Sequence, residues 1–322
     1  CMSYGMKTNV GISFQNSYGT ALTNSIYWVP FLSEGFAVSK EPLVSEGMTG
    51  VFDEGATYEG INAIEGTLEV EAHPIVLGAM LKALMGSPST VTSGAYFTHT
   101  FKPRTADFDD FSAQIPVTIS KALGDTGSSH RFYDMNASKM SLSVANGELL
   151  KASMDFMGGK YSQIVAPAAS YPAGKSFTWD VASVSLAGTA NADISEFNME
   201  LDESLENKYT LNAAKTPSRT KRSGRRTLAV GGTLIFDNQT EYQKFLDQSE
   251  RNLTVNMVGL ANVQSGYNEL LTITVPLFRY VEFKPVAGGA EKLEVGFSGK
   301  GIYSTTSATM LQITLANTQA AY

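Results

Sequence analysis

At 322 residues, with 43% hydrophobic and 17% charged residues, the chain has enough apolar material for packed cores and too little charge for a disordered polymer, and its length suits two units of about 150 residues. A formal net charge of −7 disfavours a surface built to grip nucleic acid, and the lone cysteine, Cys1, excludes an internal disulfide or thiolate cluster, as suits a reducing cytosol. The most apolar run, Pro74 to Met85, falls short of the ~20 residues a membrane-spanning helix needs, and no basic-then-apolar leader opens the sequence, so a soluble, unexported chain is expected.

Taken in chain order, the dominant signal is alternation at period two, the pattern of half-buried strands in antiparallel sheets. Tyr27, Trp28, Phe31 and Phe36 cluster early and read as core of a first sheet. Pro42 to Thr57 shows little periodicity, and stretches that long without pattern are uncommon unless they bind something or are disordered, so contacts to neighbouring subunits are expected. In Thr67 to Glu71, Leu68 and Val70 point one way while Thr67, Glu69 and Glu71 point the other. Pro74 then opens a predicted helix whose Leu77, Met80, Leu81 and Leu84 share one stripe. Met140, Leu142 and Val144 alternate up to Asn146-Gly147, and Met154 and Phe156 alternate beyond it, which predicts a hairpin over Lys139 to Met157.

In the second half, Phe197, Met199 and Leu201 alternate with Glu196, Asn198, Glu200 and Asp202. A second unpatterned stretch, Glu203 to Arg226, ends in the only dense basic run of the chain. Thr240 and Gln243 have capping-box spacing ahead of Tyr242, Phe245 and Leu246, predicting a second helix. Gly288-Gly289 marks a turn before Leu293, Val295 and Phe297.

The two halves share an order. Gly66-Thr67-Leu68 before the first helix aligns with Gly232-Thr233-Leu234 before the second at an offset of 166 residues, and the block from Asn146-Gly147 to Gly158 aligns with that from Ala287-Gly288 to Gly299 at an offset of 141. The smaller offset places about 25 extra residues in the first copy, expected as a loop over Ser87 to Asp110. The division that follows is a first domain over residues 1–165, a Pro/Ala/Gly-containing linker over 166–175 and a second domain over 176–322.

Motifs of chemistry are weak. His73, His99 and His130 are scattered without zinc-ligand spacing. No G-x-S-x-G elbow occurs, and Gly174-Lys175-Ser176 lacks the first glycine of a phosphate-binding loop, where Ala169 stands. Asp53, Asp107, Asp109 and Asp110 fit no calcium loop, and Asp125-Thr126-Gly127 has no second copy to make an aspartic-protease dyad. No cofactor and no catalysis are expected. The competing reading is a β-sandwich binding module, an adhesin or lectin-like domain pair, with the early aromatics as its platform.

Gly11-Ile12, Ser17-Tyr18-Gly19-Thr20-Ala21, Tyr27-Trp28-Val29-Pro30 and Gly35-Phe36, with the Glu65-Gly66-Thr67 strand and the Pro74 helix behind them, resemble the tail tube proteins of long, non-contractile phage tails. The resemblance implies tandem antiparallel β-sandwich or half-open barrel domains, each with one flanking helix. It also implies a structural subunit of the virion tail, made in the host cytoplasm, and trimeric rings with pseudo-sixfold symmetry stacked into a conduit for genome DNA. Its partners would be other copies of itself and the tape measure, tail terminator and distal tail proteins. About 24 wall strands spaced ~4.8 Å apart and tilted near 45° would leave a bore of roughly 35 to 40 Å, wider than the roughly 20 Å of a duplex. Such a lumen should repel phosphate weakly, which points to the outward-phase carboxylates Glu69, Glu71, Glu200 and Asp202. Contacts between stacked rings are assigned to the long loops, with Lys221, Arg222, Arg225 and Arg226 meeting an acidic patch.

Overall fold

The structure, a computed structural model, describes residues 5–322 apart from 49, 51, 106–115, 125–128, 166, 192, 237–238, 265 and 286–293, and leaves the side chains of 260–264 undescribed. The first half begins with β1 (Asn9–Phe14), β2 (Tyr27–Val29), β3 (Phe31–Glu34), β4 (Ala37–Val44) and β5 (Thr57–Glu71), then α1 (Pro74–Met85). It continues through β6 (Ser89–Ser93), β7 (Tyr96–Phe101), β8 (Val117–Ala122), β9 (Ser129–Ala145), β10 (Lys151–Gly158) and β11 (Lys160–Ile164). The second half runs β12 (Ala182–Leu186), β13 (Thr189–Asn191), β14 (Ile194–Asp202), β15 (Leu205–Lys208), β16 (Arg219–Arg222) and β17 (Thr227–Ile235), then α2 (Thr240–Leu246). It closes with β18 (Arg251–Gln264), β19 (Tyr267–Phe283), β20 (Glu294–Ile302) and β21 (Gln312–Asn317).

One antiparallel sheet runs through both halves in the order β4-β5-β10-β9-β14-β17-β20-β19. The join is β9 against β14, where Leu142 faces Met199 and Met140 faces Leu201. Within this sheet the pairing repeats at the two sequence offsets. Thr67 pairs with Asp155 as Thr233 pairs with Gly296, and Gly66 pairs with Phe156 as Gly232 pairs with Phe297. The preceding strand follows at an offset of 161, since Val38 pairs with Ile64 as Met199 pairs with Val230. The shared glycine has a steric reason in both copies. A Cβ on Gly66 would lie 2.5 Å from the Phe36 ring, and one on Gly232 would lie 2.1 Å from the carbonyl oxygen of Glu196.

A second layer covers the apolar face. In the first half β1, β2, β8, β11 and the start of β9 form it; in the second half β12, β13, β18, the start of β19 and β21 do. Among the described residues no barrel closes. Alternating Val10, Ile12, Leu68, Val70, Met154, Phe156, Val295 and Phe297 are all buried in the core between layers, and at ~25 cal/mol per Å² this burial is the main term holding the fold. Of the early aromatics, Trp28 and Phe36 are buried, while Tyr27 and Phe31 lie partly exposed at its margin.

The hairpin expected over Lys139 to Met157 forms from β9 and β10, and two other local readings change. The region of the extra residues holds a hairpin rather than a loop: β6 pairs with β7, and β7 pairs onto β21, so the first half adds a strand to the second. The turn after β9 spans 146–150, because buried Leu150 donates its N–H to the Phe177 carbonyl and accepts from Ala72; Gly147 supplies the left-handed φ of 83°. At α2 the N-cap is Gln239 with no side-chain cap bond, and the Gln243 amide donates to Asp247, so the expected capping box does not form. His73 caps α1 instead, its Nδ1 accepting from the Ile75 N–H. The Gly288-Gly289 turn, Leu293, Asp107, Asp109, Asp110 and the Asp125-Thr126-Gly127 stretch lie outside the described residues.

Candidate functional site

The face of the long sheet turned away from the core is polar in successive cross-strand rungs. One rung reads Glu71, Lys151, Ser143, Asn198, Gly231, Ser298; the next reads Glu69, Ser153, Ser141, Glu200, Ala229, Lys300. The third reads Thr67, Asp155, Lys139, Asp202, Thr227. Adjacent rungs on the opposite face, such as Val70, Ala152, Leu142, Met199 and Val230, are buried. Side chains alternate between faces along a strand, so a one-residue slip at the β9–β14 join would put Met199 in water and Glu200 in the core. The apolar face therefore fixes the polar one.

All four carboxylates singled out from the sequence, Glu69, Glu71, Glu200 and Asp202, share this face. Glu69 accepts from the Ser33 hydroxyl at 2.7 Å, and Glu200 pairs with Lys139 at 2.8 Å, a hydrogen bond that holds the Lys139 ammonium above its ordinary range. Asp202 accepts from the Ser204 N–H at 2.6 Å. These three rungs carry small, polar or charged side chains and no aromatic ring.

Two hairpin arms project from the sheet at matching places in the repeat. The first continues β4 and β5 through residues 40–60, and the second is β15 with β16. The second arm folds back on the first half: the Tyr209 hydroxyl donates to the Asn62 carbonyl at 3.2 Å, the Asn62 N–H donates to the Lys215 carbonyl at 2.8 Å, and the Lys215 ammonium pairs with Glu59. That pairing pulls the Glu59 carboxyl below its usual range.

The four basic residues of this arm singled out from the sequence, Lys221, Arg222, Arg225 and Arg226, have different roles. Arg222 and Arg226 turn inward onto Glu203, fully buried, at 2.6 and 2.8 Å. Arg226 also donates to the Arg104 carbonyl at 2.6 Å, and the Arg104 guanidinium donates to the carbonyls of Ala83 and Leu84 at the end of α1. Burial lowers the Arg104 pKa to about 10. Lys221 sits half-buried opposite Glu206, and Arg225 is exposed. Glu203 and Arg104 were not among the expected residues; neither stands in a motif, and only the fold brings them to the basic run.

Among the described residues no His, Cys, Asp or Glu grouping could hold a metal ion, and no helix is long and apolar enough to cross a membrane. A model of the phage tail tube proteins matches residues 5–310. The chain belongs to the phage tail tube protein family. No curated protein matches it closely enough to add a second comparison. As a tail tube protein it is a structural subunit of a phage tail, and its mainly β, antiparallel architecture agrees with that role.

Proposed function

We propose that three copies of this chain close a ring of six similar domains, bounded as 1–165 and 176–322 with 166–175 between them, and that rings stack into a conduit through which double-stranded DNA leaves the virion. The observation that carries this reading is the in-chain join. Domain one meets domain two through β9 and β14 in one continuous sheet with the same strand order on both sides, so the same join, repeated between chains, turns a sheet into a closed wall.

In this reading Glu69, Glu71, Glu200 and Asp202 line the bore. Carboxylates and small hydroxyls facing DNA phosphates give weak repulsion and no counterion release, so the genome slides without binding. Lys221, Arg222, Arg225 and Arg226 belong to an arm that meets another copy, Arg222 and Arg226 by bracing its root on Glu203 and Lys221 and Arg225 from its surface. Tape measure, terminator and distal tail proteins would occupy the bore and the two ends.

The test is replacement of all four carboxylates by lysine in assembled particles. Slowed DNA ejection, with the delay growing as salt is lowered, supports a bore lined by these residues; ejection kinetics equal to those of the unmodified particle contradict it.

A further inference from the structure

The two arms occupy equivalent places in the repeat but carry opposite charge. Residues 40–60 contain five acids and one lysine, whereas 203–226 contain seven basic residues and two acids. Within the chain, the basic second arm rests on an acidic root, with Lys215 on Glu59 and Glu41 beside them in the same groove.

The repeat transfers that contact one step around the ring. The residue matching Glu59, at the offset of 166, is Arg225, and the position matching Lys215 falls in the tip of the first arm, which carries Asp53 and Glu54. The sign of each partner is inverted, and the contact stays attractive. Arg225, Asp53 and Glu54 are all exposed, as are Met48 and Phe52 at the same tip, which expose their full side chains. An apolar tip flanked by acids is costly to leave in water and has the composition of a contact covered on assembly.

We propose that the acidic first arm of one copy seats on the basic root of the second arm of the next copy within the same ring, with Asp53 and Glu54 facing Arg225 and Lys221. This rests on the ring reading above and specifies its chain-to-chain contact, moving the partner of the basic arm from the stacked ring to the lateral neighbour. Alternating polarity also prevents error. An acidic tip is repelled by the acidic root at Glu59 and a basic tip by the basic root at Arg225, so first arms go to second domains and the ring closes in one order.

The experiment uses two full-length chains, both carrying Cys1→Ser, one with Glu54→Cys and the other with Arg225→Cys, mixed during assembly. A disulfide-linked dimer on a non-reducing gel, formed in isolated rings and absent when either chain assembles alone, is the expected result. Rings that form normally without the cross-link, or a cross-link confined to stacked tubes, overturn the lateral contact and leave the ring reading intact. Failure of the unmodified chain to form any ring overturns both. Charge exchange gives an independent reading: Asp53→Lys with Glu54→Lys, or Arg225→Glu, should each raise the concentration for half-assembly about tenfold, and combining them should restore it to within about threefold. Unchanged assembly in the single-sided variants, with circular dichroism unaltered, would count against the proposal.

Discussion

The two halves keep the same strand order and the same pairing register and differ almost everywhere outside that sheet. In the first half α1 has twelve residues, ten of them buried, while in the second α2 has seven, none buried. The first arm is acidic, and the second is basic and folds back on the root of the first. The shared sheet tolerates little change because each side chain's face is set by pairing on both sides, whereas helices and arms lie outside that register and are free to specialise.

The largest effect should come from the root of the second arm. Glu203→Gln leaves two partly buried arginines beside a fully buried neutral group and should cost about 3 kcal/mol, read as a lower urea midpoint. At the matching place of the first arm stands exposed Pro42, where Ala should cost less than about 1 kcal/mol. Equal costs at the two sites would remove the asymmetry.

Helix α1 offers the next test. A Cβ on Gly78 would lie 2.1 Å from the Tyr322 ring, which reaches across from the end of the chain, so Gly78→Ala should destabilise by about 2 kcal/mol. Combining it with Tyr322→Ala should cost less than the sum of the two single changes. Gln243→Ala on exposed α2 should stay within about 0.5 kcal/mol.

Acid sensitivity should localise in the first half, which holds all three histidines of the chain. Burial lowers the pKa of His73 and of His99, the latter bonded between Thr90 and the Gln319 carbonyl. For a base with a depressed folded pKa, the unfolded chain takes up the proton first. Stability is therefore whole above the ordinary value of 6.5 and falls as pH drops below it. The thermal midpoint should decline between pH 7 and 5, and His99→Gln should flatten that decline; an unchanged slope would exclude His99 as a source.

The smallest effect is expected at the arm contact itself. Both partners of the Lys215–Glu59 pair are exposed, so Lys215→Glu should leave the unfolding midpoint unchanged while speeding proteolytic cleavage between Thr210 and Pro217.

Alternation in the sequence was a sound guide wherever one face of a strand is buried, as in Glu196 to Asp202 and Met140 to Val144, and it placed Glu69, Glu71, Glu200 and Asp202 on outward phases that the register brings to one face. It failed where strands have no buried face. Residues of β4 and the start of β5 are exposed on both sides, so hairpin arms look like unpatterned loops. β6, Ser89–Ser93, is exposed at every position and gave no apolar phase to read. The basic run posed another difficulty: local sequence shows charge, but only the return of the chain past Arg104 brings Arg222 and Arg226 onto Glu203 and leaves Arg225 outside.

The central claim is that the polar face of the β4-to-β19 sheet becomes the inner wall of a ring made from repeated joins of the β9–β14 kind. An image reconstruction of the assembled tube, with symmetry and density counted, tests it most directly. The account predicts three chains per ring, six similar lobes, and the rungs through Glu69, Glu200 and Asp202 facing the axis. A tube whose axis faces the second layer, or a protein that remains a compact monomer at every concentration, would contradict it.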